Sequence, residues 1–180
     1  MNPDQEHTAG GAEAGRREAA RAALRAAGWE PGRGSGPAPA PDMVEQYGPA
    51  PAAAVAFLAE YGGLRLLFAD PRTGQDDDID ISGHAGILGW VGSWSRAAGE
   101  PVYPVGEFAR GNCVLLIGGS GSLYGAFDAI LGRLGPDPLA GLGRLMLDPD
   151  PLEPRLPFPQ EALYRPEPRE PRARRPRNRA

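Results

Sequence analysis

Four carboxylates crowd one short stretch of this chain: Asp76, Asp77, Asp78 and Asp80. The alternate spacing of Asp76, Asp78 and Asp80 matches the first three oxygen ligands of a calcium loop. Such a loop also needs Gly at its sixth position, for the sharp turn, and a bidentate Glu at its twelfth. Those positions hold Ile81 and Ile87, which excludes an EF-hand. Three readings of the run stay open: a solvated acidic loop, a contact for a partner, or a weak cation site.

Other chemistry-bearing residues are sparse. The two histidines are His7, in a polar N-terminal stretch, and His84, flanked by Gly83 and Gly86. His84 is therefore the credible titrating base near neutral pH, but no Ser or Cys at a recognisable spacing completes a triad with it. The run Gly118-Gly119-Ser120-Gly121 lacks the Gly-Lys-Ser/Thr ending of a P-loop, and Tyr124 stands where a dinucleotide fingerprint needs glycine. Ser122 replaces the last glycine of Gly-x-Ser-x-Gly, so Ser120 is not on a nucleophile elbow. A hairpin turn that needs positive φ accounts for these glycines. Cys113 is the single cysteine, which excludes an intramolecular disulfide and a thiolate metal cluster. No catalytic set, metal or cofactor is expected. A small hydrolase or ligand-binding enzyme using His84 and the acidic run is the enzyme alternative.

Charge is unevenly spread over the 180 residues. The formal net charge is −4, yet residues 165–180 hold seven Arg against two acids, leaving twelve Arg against twenty-one acids, a net of −9. An acidic body disfavours direct nucleic-acid binding, which needs cationic surface, and favours a basic protein partner. Lysine is absent. No apolar run reaches the about 20 residues of a membrane span and residues 1–15 lack a signal core, so no membrane contact and a cytoplasmic location are expected.

The elements that position these groups follow from periodicity and breakers. Glu13 to Ala27 reads as a helix, with Ala20, Leu24 and Ala27 on one face and Glu13 four residues before Arg17. Gly28 fits its C′ position, and Trp29 then folds back towards Leu24. After a Gly/Pro linker and a helical turn at Met43 to Tyr47, a second helix carries the stripe Ala54, Phe57, Leu58 and Tyr61, and Gly62-Gly63 stops it. Leu64 to Phe68 reads as a strand, Gln75 to Asp80 as an acidic loop entering a short strand at Ile79 and Ile81, and His84 to Gly99 as helical. Trp90 and Trp94, four apart, are either core residues or interface anchors. Val102 to Val105 is a strand, Cys113 to Ile117 and Ser122 to Phe127 form a hairpin, and Asp128 caps a helical turn through Leu131. Asp137 caps and Pro138 starts a last helix with Leu139, Leu142, Leu145 and Met146 on its apolar face. Residues 1–11 are expected to be disordered, 12–147 to form one domain, and 148–180 to be a Pro/Arg-rich tail, disordered beyond about 165. Leu152, Leu156, Phe158 and Leu163 are the residues able to pin the start of that tail.

Several of these pieces, in this order, resemble the SUKH superfamily and specifically its third subfamily. They are Gly28-Trp29-Glu30-Pro31-Gly32-Arg33, the junction Phe57-Leu58-Ala59-Glu60-Tyr61-Gly62-Gly63-Leu64, Tyr103-Pro104-Val105-Gly106, the hairpin from Val114 through Tyr124, and the closing leucine-rich helix. The resemblance implies an α+β fold, with a mixed, mostly antiparallel sheet and helices packed on it. It also implies an immunity protein that neutralises a cognate polymorphic toxin, many of which are nucleases, by direct binding, and therefore a binding module rather than an enzyme; a regulatory scaffold of the same fold is the other binding-class reading. It carries over no catalytic residue. If the toxin's active surface is basic, the expected contacts are Asp76, Asp77, Asp78, Asp80, Glu100 and Glu107, with Trp94 as an aromatic anchor. The 34–41 insertion and the long tail depart from the pattern.

Overall fold

The computed structural model describes residues 3–83 and 89–158, with residues 3–10 described for their backbone alone. His84, Leu163 and the Arg-rich run from residue 165 lie outside the described residues. The chain forms α1 (Pro3–Ala26), α2 (Pro41–Tyr47), α3 (Ala52–Tyr61), β1 (Leu64–Ala69), β2 (Asp76–Ile81), α4 (Val91–Ala98), β3 (Val102–Phe108), β4 (Cys113–Gly118), β5 (Leu123–Phe127), β6 (Ile130–Gly135) and α5 (Pro138–Leu147). The strands make one sheet in the order β1-β2-β3-β4-β5-β6, and every pairing is antiparallel. The architecture is thus α+β, as expected, but the sheet is a simple meander rather than a mixed one. Consecutive strands pair throughout, so no crossover is needed.

Side-chain alternation gives the sheet two faces. On one, Leu66, Ile79, Phe108 and Cys113 line up across four strands. That face carries the main core, covered by Ala20 and Leu24 of α1, Phe57 and Leu58 of α3, and Leu142 and Leu145 of α5. The opposite face holds a smaller core of Val102, Val114, Leu116, Tyr124, Ala126 and Leu131 under Trp94 of α4. Helices therefore cover both faces.

Local signals explain the helices. Gly28, at φ +91°, closes α1: its N–H reaches the Arg25 carbonyl at 3.0 Å, and the Trp29 N–H reaches the Leu24 carbonyl at 2.9 Å. This is the Schellman pattern, and Trp29 joins Leu24 in the core as its position predicts. Asp137 caps α5 by accepting the Ala140 N–H at 3.1 Å. Two α1 arginines grip both ends of that helix. Arg17 pairs with Asp137 at 2.6 Å, and Arg16 makes a two-pronged contact with Asp148, at 3.0 and 2.8 Å.

Four boundaries differ from expectation. First, α1 begins at Pro3, ten residues before Glu13, in a stretch with no apolar stripe for periodicity to detect. Second, the acidic run is not a loop: Asp76, Asp77 and Asp78 lie in β2, paired with Ala69, Phe68 and Leu67 of β1. Aspartate is a poor strand former, and the β1 ladder overrides that preference. Third, Asp128 does not cap a helical turn. It sits at φ +48° in the two-residue turn where Phe127 pairs with Ile130, and β6 follows. Fourth, α4 starts only at Val91.

Packing continues past Leu147. Arg155 bridges to Gly132, the Leu156 N–H reaches the Leu131 carbonyl at 2.8 Å, and Phe158 lies edge-on to Trp90 with ring centres 5.9 Å apart. Leu152, Leu156 and Phe158 pack against the two cores.

Candidate partner-binding surface

The register of β1, β2 and β3 brings three of the singled-out acids together. Arg65, Asp80, Glu107, Val114, Ala126 and Leu131 form one row across all six strands. Its β4–β6 half is apolar and covered by α4. Its β1–β3 half is charged, with Asp80 directly opposite Glu107. Asp78 lies on the same face, two residues along β2, and is held by Arg65 at 2.9 Å. Arg65 and Leu67 are exposed, Leu67 at 72%, whereas Asp78, Asp80 and Glu107 are half-buried.

Placing two carboxylates opposite each other on adjacent strands is unfavourable for stability. Asp80 and Glu107 are arranged in this way, and Arg65 already takes its shortest contact with Asp78. Asp78, Asp80 and Glu107 thus share this part of the sheet with Arg65.

The other expected contacts are elsewhere. Asp77 points to the opposite face, in register with Phe68, and accepts the Asp78 N–H at 2.8 Å. Asp76 is exposed at the start of β2, and Arg110 donates to its backbone carbonyl at 2.8 Å. Glu100 is committed internally. It accepts the Ser120 N–H at 2.7 Å, the Ser120 hydroxyl at 2.8 Å and the Tyr124 hydroxyl at 2.7 Å, all from the β4–β5 hairpin. Burial alone would raise its carboxyl pKa, but these hydrogen bonds outweigh burial and hold it below the usual range. Burial, with Glu100 adjacent, pushes the Tyr124 hydroxyl up to about 12.

Trp94 offers no surface to a partner. It is 1% exposed in the smaller core, and its indole N–H donates to the Asp128 carbonyl at 2.9 Å. Of the two readings of that tryptophan, core packing is the one its environment matches.

Sequence reasoning missed a cleft of about 200 Å³ on the α1/α5 side of the sheet. Phe68, Phe108, Cys113, Ile130, Leu145 and Leu152 supply its apolar walls. Asp70, Asp77, Asp148, Asp150 and Glu153 stand around it, with Arg72 and Arg155 also in the lining. A shallower hollow shares Asp70, Asp77 and Ala109 with it and reaches Asp76. No sequence signal marks the cleft, because turns far apart in the chain and the segment after α5 build it. Burial, reinforced by Asp77, pushes the Cys113 thiol up to about 11, so it is a poor nucleophile.

Among the described residues, no group of three or more His, Cys, Asp or Glu side chains is placed to hold a metal ion. No helix among them is long and apolar enough to cross a membrane.

No curated protein and no solved structure matches the chain. The SUKH-3 immunity protein family matches it over residues 16–148. That span runs from Arg16, at the α1 grip on α5, to Asp148, the partner of that grip. It includes all six strands, and the chain belongs to the SUKH-3 immunity protein family.

Proposed function

We infer that the chain neutralises a cognate protein toxin by binding it directly in the cytoplasm, and that the toxin surface it covers is basic. Family membership over residues 16–148 carries the first part. The Asp78, Asp80 and Glu107 patch supports the second, since a matching negative surface raises both association rate and specificity towards a cationic partner. Where the toxin is a nuclease, that cationic surface is the one that holds phosphates. On this reading the chain needs no catalytic group and no cofactor, and it has no direct contact with nucleic acid or membrane.

The β2 alternation divides the acidic run, with Asp77 on one face and Asp78 and Asp80 on the other, so the run does not act as a single carboxylate cluster. Co-expression with a cognate toxin, sought among the neighbouring genes, is the direct test. Protected growth and a stable complex of the two proteins are expected, and growth arrest despite abundant folded protein would rule the reading out.

A further inference from the structure

The cleft between β1–β4 and the segment after α5 has the chemistry of a socket for one long cationic side chain. Its walls are apolar, from Phe68, Phe108, Leu145 and Leu152, and its volume of about 200 Å³ is on the scale of a single side chain. Its rim is acidic, but the carboxylates are not equivalent. Asp148 is held by Arg16, with Arg144 3.5 Å away, Glu153 is paired with Arg155 at 2.7 Å, and Asp70 accepts the Arg72 N–H of its own turn at 2.7 Å. Asp77 and Asp150 are left more open. Among the described residues the Asp77 side chain takes a backbone N–H alone, and Arg72 stands 3.8 Å from an Asp150 that is 68% exposed.

We propose that this cleft receives an arginine or lysine side chain presented by the partner protein, with the methylene stem along the apolar walls and the cationic head at Asp77 and Asp150. Long basic side chains commonly divide themselves in this way, stem on apolar surface and head in a polar rim. An anchor residue seated in a desolvated pocket is also what concentrates binding energy in a protein interface. The complementarity favours a cation: an acidic head would meet Asp77 and Asp150 as like charges, and a wholly apolar side chain would cover Asp77 without supplying a counter-charge. The identity of the partner as a toxin rests on the immunity reading; the chemistry of the socket does not.

The full-length protein can be titrated with N-acetyl-arginine methylamide and, separately, with its neutral isostere N-acetyl-citrulline methylamide at matched ionic strength, following backbone amides by NMR. Saturating shifts at Phe108, Cys113 and Leu152 are expected with the arginine compound, at least fivefold weaker with citrulline. They should be lost in D77N/D150N and weakened in D150N alone, an exposed change that leaves folding intact. Equal responses to the two compounds, or none, would overturn the proposal even if the chain protects against its toxin. Shifts at the same amides on replacing the arginines of residues 165–180 by Gln, with no compound present, would place the chain's own tail in the socket and also overturn it. In the protection assay D77N/D150N should protect at least tenfold less well than the wild type. A wild type that fails to protect yet retains arginine selectivity would remove the immunity reading and leave the socket standing.

Discussion

The indole N–H of Trp29 donates to Glu60 Oε1 at 2.8 Å, and the same oxygen accepts the Gly32 N–H at 3.0 Å. Arg33 then reaches the Gly62 carbonyl at 2.8 Å, and the Gly36 N–H reaches the Ala59 carbonyl at 2.9 Å. The segment leaving α1 is thereby clasped to the end of α3. Two of the sequence pieces that mark the family are therefore the two halves of one structural joint.

Glu60→Ala should destabilise the fold by about 2 kcal/mol, because it leaves a half-buried indole N–H and a backbone N–H without their charged acceptor. Glu60→Gln keeps an acceptor oxygen and should lose less. Urea unfolding followed by tryptophan fluorescence measures both, and partner affinity of the folded fraction should not change. A Glu60→Ala variant as stable as the wild type would show that the clasp contributes nothing.

Gly143 offers a test of opposite signs. In an exposed helix, alanine is favoured over glycine by about 1 kcal/mol. At Gly143, however, a methyl group would run into the backbone carbonyl of Arg16, where α1 packs against α5. Gly143→Ala should therefore cost about 1–3 kcal/mol. Gly15→Ala, on the exposed side of α1 with nothing within 4 Å, should stabilise by about 0.5–1 kcal/mol. Thermal melts of the two variants should move in opposite directions.

The features legible in the sequence were those with local causes. The Gly28 stop, the Asp137-Pro138 start and the Leu115–Tyr124 hairpin each depend on residues close together in the chain, and each is found. β6 was missed because its turn, Asp128-Ala129, lacks the Asn-Gly or Asp-Gly signal, and its two glycines dilute the apolar alternation. The strand character of Asp76–Asp78 comes from pairing with β1, a neighbour that composition does not reveal. Charge and expected exposure single out the six acidic candidate contacts, and Trp94 is added as an aromatic anchor. Charge finds carboxylates but not the face they occupy, nor partners such as Ser120 and Tyr124, which draw Glu100 inward.

Glu100 gives a pH signature. Its carboxyl pKa is lower in the folded chain than the ordinary value near 4.3. The stabilisation linked to that shift is fully present above the unfolded value and is lost as pH falls through the folded one. The stability difference between wild type and Glu100→Gln should therefore be constant from pH 6 to 8 and shrink as pH drops below about 4.3. Denaturant unfolding at several pH values measures it. A difference that grows towards acid would mean that the hairpin does not favour the charged carboxylate.

Asp80 and Glu107 make the sharpest prediction about partner binding, because stability and function should move apart. Removing one of two opposed carboxylates relieves repulsion, so Asp80→Asn should be neutral or stabilising by up to about 0.5 kcal/mol. The same change should slow association with a basic toxin several-fold at low salt and flatten the dependence of the rate on ionic strength. Arg65→Gln should do the reverse. It uncovers Asp78, whose Arg65 contact is exposed and worth less than about 1 kcal/mol to the fold, so association should quicken with little change in melting temperature. Stopped-flow association across a salt series measures all three proteins. Identical rates and salt slopes would take this half of the sheet out of the interface.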